Sequence, residues 1–174
     1  GGFSTGVFHG QTANTAIKVT GDSVRHEREV RALQVLKDPN FILRLLDFSS
    51  DAQGSPGAAE DGLCYLVTVA GTVSLAVALH KTGRISEAPA ICSDILSALA
   101  YMHAQGFAHC DIKPANIVKH DLGLQPSSAR WKLIDLDSMR PIGSFIEEWE
   151  TWEFTDMYIP PEVASAILGD APRP

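Results

Sequence analysis

Two short stretches in the second half of the chain combine side chains that could bind a cation or take up a proton. The first is residues 109–116, H-C-D-I-K-P-A-N, which contains Asp111 and Asn116, and the second is residues 133–137, L-I-D-L-D, which contains Asp135. Asp135 and Asn116 carry hard oxygen donors, which suit Mg²⁺ because this cation keeps several of its waters and needs few protein ligands. These residue types indicate a divalent-cation site.

The first 70 residues have the pattern of a small sheet with one helix. Apolar residues on either side of a polar connection predict a hairpin over residues 3–19. Asp22 or Ser23 is the expected N-cap of a helix whose apolar residues recur at three-residue steps. Further strands are predicted at Phe41–Phe48 and Tyr65–Thr68, joined by a flexible surface loop over residues 49–62.

The pattern changes from strands to helices near residues 70–72, where we place the boundary between two lobes. Ser86 is the expected start of a core helix that ends at Gly106 and carries apolar residues at helical spacing: Ile91, Ile95, Leu99 and Met102. Beyond it the pattern predicts two short strands and a last helix, at Ile117–Lys119, Lys132–Ile134 and Pro161–Leu168.

The composition is that of one ordinary globular domain. The 174 residues are 45% hydrophobic, and 14 Lys and Arg against 21 Asp and Glu give a formal charge of −7. At this length about 70% of the unfolded surface can be buried, so a core forms without disulfides or a structural metal. The values exclude a disordered tail, a collagen-like repeat and a disulfide-rich scaffold. Because the basic residues are scattered and outnumbered, no nucleic-acid partner is expected.

The cysteines indicate the compartment. Cys64, Cys92 and Cys110 are far apart and form no C-x-x-C or histidine-paired pattern, so we expect a reducing, cytoplasmic or nuclear location. No basic segment followed by an apolar run opens the chain, and no secretory signal is expected. Residues 63–79 are uncharged but short for a membrane span and contain Thr and Ser, so we expect a buried strand followed by a short helix there and no membrane span.

Together these motifs resemble those of the eukaryotic-type protein kinase family. Its catalytic loop H-R-D-x-x-x-x-N, its D-F-G and its A-P-E correspond here to residues 109–116, 135–137 and 158–162. Upstream, Thr15–Lys18 resembles the strand motif V-A-I-K, and Arg28–Val30 resembles the helix that carries its glutamate partner. Each segment alone fits a solvated surface or a turn, whereas their order and spacing together carry the resemblance.

The resemblance implies an α+β, bilobal protein kinase-like fold. Residues 1–70 would form an N-lobe with a small antiparallel β-sheet and one helix, beginning inside the glycine-rich loop. Residues 71–174 would form a mainly helical, partial C-lobe with the catalytic loop and the activation segment. The chain begins at Gly1 rather than Met and ends after the P-P-E motif, so we expect an incomplete domain. We therefore expect the apolar face of the 91–102 helix to be partly uncovered, and the isolated piece to be marginally stable or to aggregate.

The resemblance also assigns catalytic and metal-binding roles. Asp111 is expected to accept or orient the proton of the substrate hydroxyl, and Lys113 to stabilise the transferring phosphoryl group. Asn116 and Asp135 are the expected Mg²⁺ ligands. His109 is expected to pack beneath Asp135 in a structural role.

The nucleotide is expected to bind along the N-lobe and at its boundary. Lys18, paired with Glu29, would hold the α and β phosphates, and the other expected contacts are Gly2, Val7, Ala16, Val69 and Ala70. The glycine-rich loop departs from the family pattern in either register. With Val7 at the family's valine position, which we prefer, Gly2 is the second glycine and Thr5 stands at the third; the other register uses Gly1 and Gly6 as outer glycines, with Phe3 between them.

The implied function is ATP- and Mg²⁺-dependent phosphoryl transfer to Ser or Thr hydroxyls of a protein substrate. Lys113, two residues after Asp111, resembles the serine/threonine kinases and, with residues 158–162, argues against a small-molecule kinase. The alternative is a pseudokinase, a nucleotide-binding or scaffold module with little transfer activity, because the glycine loop is altered and Asp137 stands at the glycine of D-F-G. Because glycine supplies backbone freedom, Asp137 is expected to restrict the motion of Asp135.

The sequence does not identify a regulator. An acidic stretch at residues 147–153, with Trp149 and Trp152 interleaved, is interpreted as a solvated face rather than as a docking element.

Cys110 stands where the family pattern has the arginine of H-R-D, so the guanidinium that pairs with a phosphorylated activation segment is missing at this position. We therefore expect activity to be independent of phosphorylation there. Replacing Thr151 and Thr155 with Ala and Tyr158 with Phe should leave phosphoryl transfer by the full-length protein unchanged. Loss of transfer in this triple variant would contradict the expectation.

Overall fold

The structure, a computed structural model, describes residues 6–9, 14–82, 87–121, 129–144 and 156–168. In chain order the strands and helices are β1 (Gly6–His9), β2 (Thr15–Thr20), α1 (Ser23–Val35), β3 (Leu45–Phe48), β4 (Cys64–Val69), β5 (Val73–Ser74), α2 (Leu75–Thr82), α3 (Ala88–Ala104), β6 (Phe107–Ala108), β7 (Ile117–His120), β8 (Arg130–Leu133), β9 (Arg140–Pro141) and α4 (Pro161–Leu168). Short 3₁₀ helices cover Pro114–Asn116, Leu136–Ser138 and Asp156–Tyr158.

The first sheet has four antiparallel strands in the order β1-β2-β4-β3. Lys18 on the inner strand β2 lies opposite Val7 on β1 and Leu66 on β4. Helix α1 packs against β3 and β4. The α+β architecture predicted from the sequence, a small antiparallel sheet with one helix followed by a more helical part, is confirmed.

Helix α1 begins at a side-chain cap. Of the two candidates, Asp22 is the N-cap: its Oδ1 accepts a hydrogen bond from the backbone N–H of Arg25 at 3.0 Å. At the other end, the N–H of Leu36 donates to the carbonyl of Ala32 at 2.8 Å. The helix buries one face, whose members are His26, Glu29, Val30, Ala32 and Leu33.

The strand predicted over Phe41–Phe48 is wrong in its first half. The carbonyl of Asp38 accepts from the N–H groups of Phe41 and Ile42 at 3.2 and 3.1 Å, which folds this segment into a turn. Ile42 then makes an isolated parallel bridge to Leu133 of β8 rather than pairing with β4. Buried Lys132 donates from Nζ to the carbonyl of Pro39 and fixes the same turn, and burial lowers the pKa of this lysine to about 8.

The two parts of the chain are joined by a tightly packed segment after β4. A Cβ built on Gly71 would lie 2.8 Å from the Cβ of Val118, so only glycine fits between the segment and β7. The next residue, Thr72, donates from its N–H to the carbonyl of Lys119 at 2.7 Å, and β5 continues as a strand beside β7. This pairing places the β7–β8 hairpin next to the four-stranded sheet.

Helix α3 supports β8. Its Asp94 accepts from the Arg130 guanidinium at 2.8 Å and from the N–H of Trp131 at 3.0 Å. Of the apolar stripe that we expected to be partly uncovered, Ile91, Ile95 and Met102 are buried in the core and Leu99 is partly buried against it. The stripe is covered because α3 packs on β6 and β8. The predicted helix start at Ser86 lies outside the described residues.

One continuous core connects α1, β8 and α3, and it includes Val30, Leu33, Leu36, Ile42, Met102, Leu133 and Leu136. Residues 63–79, the uncharged stretch, form β4, β5 and the first turns of α2 around short connections. Within the described ranges, no helix combines the length and the apolar character needed to cross a membrane.

Two adjacent residues of α3 provide a matched test of this packing. Ile95 is 8% exposed and Leu96 is 66% exposed, although their side chains contain the same atoms. Ile95→Ala should lower the free energy of unfolding by about 2–5 kcal/mol because it opens a cavity in the core. Leu96→Ala should change it by less than about 0.5 kcal/mol. Equilibrium urea unfolding checks both values, and equal losses would contradict the orientation of α3.

Candidate active site

A cleft of about 620 Å³ lies between the four-stranded sheet and the β7–β8 hairpin. Six of the predicted site residues line it: Val7, Ala16, Lys18, Glu29, Asn116 and Asp135. Its apolar wall comes from both sides of the molecule and includes Leu33, Leu43, Leu66, Val118 and Leu133. The volume is within the ~300–1,000 Å³ that small-molecule and cofactor sites occupy.

The ammonium of Lys18 lies among three carboxylates at one end of this cleft. Its Nζ is 2.7 Å from Oε2 of Glu29, 2.6 Å from Oδ1 of Asp135 and 3.7 Å from Oδ2 of Asp137. The carboxylate oxygens themselves lie within 4.8 Å of one another. Burial lowers the pKa of Lys18, but the three negative charges outweigh it, so the pKa is raised and the ammonium stays charged.

Glu29 is positioned by the way α1 is anchored. One turn earlier, the buried His26 ring contacts the carbonyl of Ser49 through Nε2 at 3.1 Å, which ties the helix to the start of the β3–β4 loop. Arg28, the residue before Glu29, donates from Nη1 to the carbonyl of Asp137 at 3.3 Å. Burial raises the pKa of Glu29, and the charge of Lys18 opposes that shift. The ion pair therefore bridges β2 and α1 in a poorly hydrated place.

Asp137 belongs to the same cluster, which the sequence analysis did not foresee. Its carboxylate is 9% exposed and accepts from the hydroxyl of Ser138 at 3.2 Å through Oδ1, while Oδ2 faces Lys18. The only sequence signal was a second aspartate two residues after Asp135. Its proximity to Lys18 depends on the 3₁₀ turn over Leu136–Ser138, which sequence spacing alone did not predict.

The stretch H-C-D-I-K-P-A-N folds so that Asp111 is held on two sides. Asn116 donates from Nδ2 to the carbonyl of Asp111 at 3.0 Å and to its Oδ2 at 2.8 Å. The Lys113 ammonium is 2.7 Å from the same Oδ2. The 3₁₀ turn at Pro114–Asn116 brings the amide back over the carboxylate. Asp111 is thus held in a fixed position beside the cleft that Asn116 lines.

His109 links this loop to the segment that carries Asp135. The ring is 1% exposed, its Nε2 donates to the carbonyl of Ile134 at 3.0 Å, and its Nδ1 accepts from the N–H of Asp111 at 3.3 Å. Burial lowers the pKa of this histidine, which favours the neutral ring that these two bonds require. The N–H of Ile134 also donates to the carbonyl of Asn116 at 3.0 Å, so both motifs are tied together by backbone as well.

Backbone strain occurs at both motifs. Cys110 and Asp135 have φ values of 65° and 66°, a left-handed conformation that is uncommon for residues other than glycine. Each such residue costs about 1–3 kcal/mol and persists only where its surroundings fix it. Here the bonds of His109 and Asn116 surround Cys110, and the Lys18 ion pair holds Asp135.

The donor set fits a magnesium ion. Asn116 and Asp135 line the same cleft, and both offer oxygen atoms of the kind that Mg²⁺ prefers. Because the Asn116 amide nitrogen donates both of its bonds to Asp111, the amide oxygen is turned away from that carboxylate. The Asp135 carboxylate and the Asn116 amide oxygen are the Mg²⁺ ligands that the sequence analysis predicted.

The two residues predicted at the lobe boundary do not line the cleft. The backbone of Ala70 is engaged on both sides, since its N–H donates to the carbonyl of Asn14 at 2.7 Å and its carbonyl accepts from His120 at 2.9 Å. The neighbours of Val69 and Ala70 in the chain, Thr68 and Gly71, line the cleft instead. Side chains alternate between the two faces of β4, and a glycine follows the strand; these two signals could have identified Thr68 and Gly71.

Several predicted features lie outside the described residues. They are Gly1, Gly2, Phe3 and Thr5 of the glycine-rich loop, the acidic stretch at residues 147–153, and Thr151 and Thr155 of the activation segment. Tyr158 lies in the described part, in the short 3₁₀ helix before α4, and is 45% exposed.

Comparison with known proteins agrees with this geometry. The model of the protein kinase domain family matches residues 8–169. A serine/threonine-protein kinase of Yarrowia lipolytica is 31% identical over 150 residues, which cover 82% of this chain and 20% of that protein. Calcium/calmodulin-dependent protein kinase type II of Caenorhabditis elegans is 28% identical over 159 residues, which cover 90% of this chain and 20% of that protein. MAP kinase-interacting serine/threonine-protein kinase 1 of Xenopus laevis is 31% identical over 111 residues, which cover 59% of this chain and 24% of that protein. The chain therefore spans less than a quarter of the length of each of these relatives.

The cluster around Lys18 makes stability depend on pH in a testable way. In Lys18→Met the pKa of Glu29 rises further, because burial and the nearby aspartates are no longer opposed by the ammonium. A carboxyl whose pKa is higher in the folded chain than in the unfolded chain loses stability as the pH rises through that folded pKa. We expect Lys18→Met to cost about 3 kcal/mol near pH 8 and clearly less near pH 5.

Urea unfolding of the variant and the wild type at both pH values measures this difference. Lys37→Met is the matched control, because Lys37 is exposed. A cost that does not change with pH, or a control with the same profile, would contradict the role given to Lys18.

Proposed function

Because the chain belongs to the protein kinase domain family, we propose that it transfers the γ-phosphoryl group of ATP to the hydroxyl of serine or threonine in a protein substrate. The observation that carries the proposal is the position of Asp111, which Asn116 and Lys113 hold beside the cleft that contains the Lys18–Glu29 ion pair. Phosphoryl transfer needs positioning and charge neutralisation more than covalent chemistry, and this arrangement supplies both.

The nucleotide would occupy the cleft with its base against the apolar wall. Val7 and Ala16 lie on the sheet side, and Leu133 lies on the hairpin side. Apolar surfaces on two sides suit a flat aromatic base, and the charged cluster around Lys18 suits the phosphates. The phosphates would therefore extend toward Lys18, whose ammonium would bind their oxygens.

Asn116 and Asp135 would hold Mg²⁺, which when bound neutralises charge on the phosphate oxygens. Lys18 contributes a second positive charge at the same end of the cleft and is oriented by Glu29. His109 keeps the segment carrying Asp135 at a fixed distance from the loop carrying Asp111. The chain thereby orients both reacting groups before any bond is made.

Asp111 would act on the attacking hydroxyl. Its carboxylate accepts the hydroxyl proton as the hydroxyl oxygen bonds to the γ-phosphorus and the bond from that phosphorus to the bridging oxygen of ADP breaks. Lys113, 2.7 Å from Asp111, is placed to stabilise negative charge on the group in transit. A neutral His109 does not compete for the proton, because both of its nitrogens are already hydrogen-bonded.

The substrate class is proposed from two features. The relatives reported above include a serine/threonine-protein kinase and a MAP kinase-interacting serine/threonine-protein kinase, so a serine or threonine hydroxyl is the expected acceptor. The segment at residues 158–162 leads into the first turn of α4, and its exposed Tyr158 is accessible to a polypeptide substrate.

Asp111→Asn tests the proposal in the full-length protein. Because the amide cannot accept the hydroxyl proton, transfer of radiolabelled phosphate from ATP to a mixed protein substrate should fall by about 100-fold or more. Asp47→Asn is the control: Asp47 is an exposed residue of β3 whose side-chain oxygen accepts only from the next backbone N–H among the bonds described. Equal incorporation by Asp111→Asn and the wild type would remove Asp111 from the catalytic role.

A further inference from the structure

Asp137 is the one member of the Lys18 cluster that the family pattern does not account for, since that pattern has glycine at this position. The residue is 9% exposed and sits in the 3₁₀ turn directly after Asp135. Three separate contacts fix it: its carbonyl accepts from Arg28, its Oδ1 accepts from Ser138, and its Oδ2 lies 3.7 Å from the Lys18 ammonium. Its charge is therefore held against Lys18 rather than directed into solvent.

The consequence is an excess of negative charge where the triphosphate would arrive. Glu29 and Asp135 already contact Lys18 at 2.7 and 2.6 Å, so Asp137 is a third carboxylate around that ammonium. Among the described residues, these three negative charges exceed by one the positive charges of Lys18 and of Arg28, which donates to the Asp137 carbonyl. A phosphate oxygen bound to Nζ at about 2.8 Å would lie no more than about 6.5 Å from the Asp137 carboxylate. Like charges at such distances in a partly buried site disfavour each other strongly.

We propose that Asp137 is a specificity-determining residue of this cleft, which admits nucleotide as a complex with divalent cations and rejects the metal-free polyanion. This rests on the proposed function, because it presumes that the triphosphate binds at Lys18. A divalent cation on the phosphates offsets the charge that Asp137 adds, whereas a metal-free triphosphate meets it uncompensated. The same three carboxylates fix the position of the Lys18 ammonium.

The test is nucleotide binding rather than turnover. Isothermal titration calorimetry measures the Kd of ATP for the full-length protein, once in EDTA and once in excess Mg²⁺. In Asp137→Asn, which keeps the size of the side chain and removes its charge, metal-free ATP should bind about tenfold more tightly than in the wild type. The ratio of the Kd in EDTA to the Kd in Mg²⁺ should fall as well, because the magnesium complex carries less negative charge and gains less from the loss of the carboxylate.

Glu60→Gln is the matched control, because it removes one negative charge from the exposed β3–β4 loop and should leave the wild-type ratio unchanged. If Asp137→Asn does not fold, Asp137→Gly is measured by the same criterion. If the Asp137 variant binds ATP with the same ratio of Kd values as the wild type, this proposal is overturned and the proposed function is not. The same holds if Glu60→Gln lowers the ratio as much as the Asp137 variant does. Absence of ATP binding in Mg²⁺ by both the wild type and the folded variant overturns the proposed function and this proposal with it.

Discussion

The arrangement of this molecule depends on one partly buried ammonium shared by distant parts of the chain. Lys18 on β2 contacts Glu29 on α1, and it contacts Asp135 and Asp137 in the turn after β8. Glu29 and Asp137 are buried, so the positive charge of Lys18 offsets much of the cost of removing these two carboxylates from water. This contact joins the four-stranded sheet, α1 and the turn after β8, the elements that surround the cleft.

The rest of the site is organised to keep that contact in one geometry. His109 joins the catalytic loop to the strand before Asp135, and Arg28 joins α1 to the turn that carries Asp137. The left-handed backbone of Cys110 and Asp135 is the strain that this network sustains. Where charged groups must converge from three elements, hydrogen bonds to backbone carbonyls do the positioning, because apolar packing alone fixes direction less strictly.

What the sequence predicted well was local. The N-cap of α1, the periodicity of α1 and α3, the limits of α4 and the charged residues of the motifs all follow from neighbours within a few positions. The fold class followed from the family resemblance that the order of these motifs carries. What it missed depended on distant contacts. Residues 41–44 are as apolar as a strand, yet Lys132 and Leu133, about 90 residues later, draw them into a turn. The bond from His120 to the carbonyl of Ala70, 50 residues earlier in the chain, is another such contact that the local pattern did not contain.

Asp137 shows why a motif match leaves charge undetermined. Judged as a replacement for glycine, it is a change in backbone freedom, and the sequence supports only that interpretation. In the folded chain its backbone is an ordinary 3₁₀ turn, while the left-handed residue is Asp135. The substitution therefore acts mainly through its carboxylate, which enlarges the acidic cluster around Lys18. A motif specifies which groups are present, but the electrostatic balance of the cleft is set by every charge that the fold brings within a few ångströms, including those that the motif does not contain.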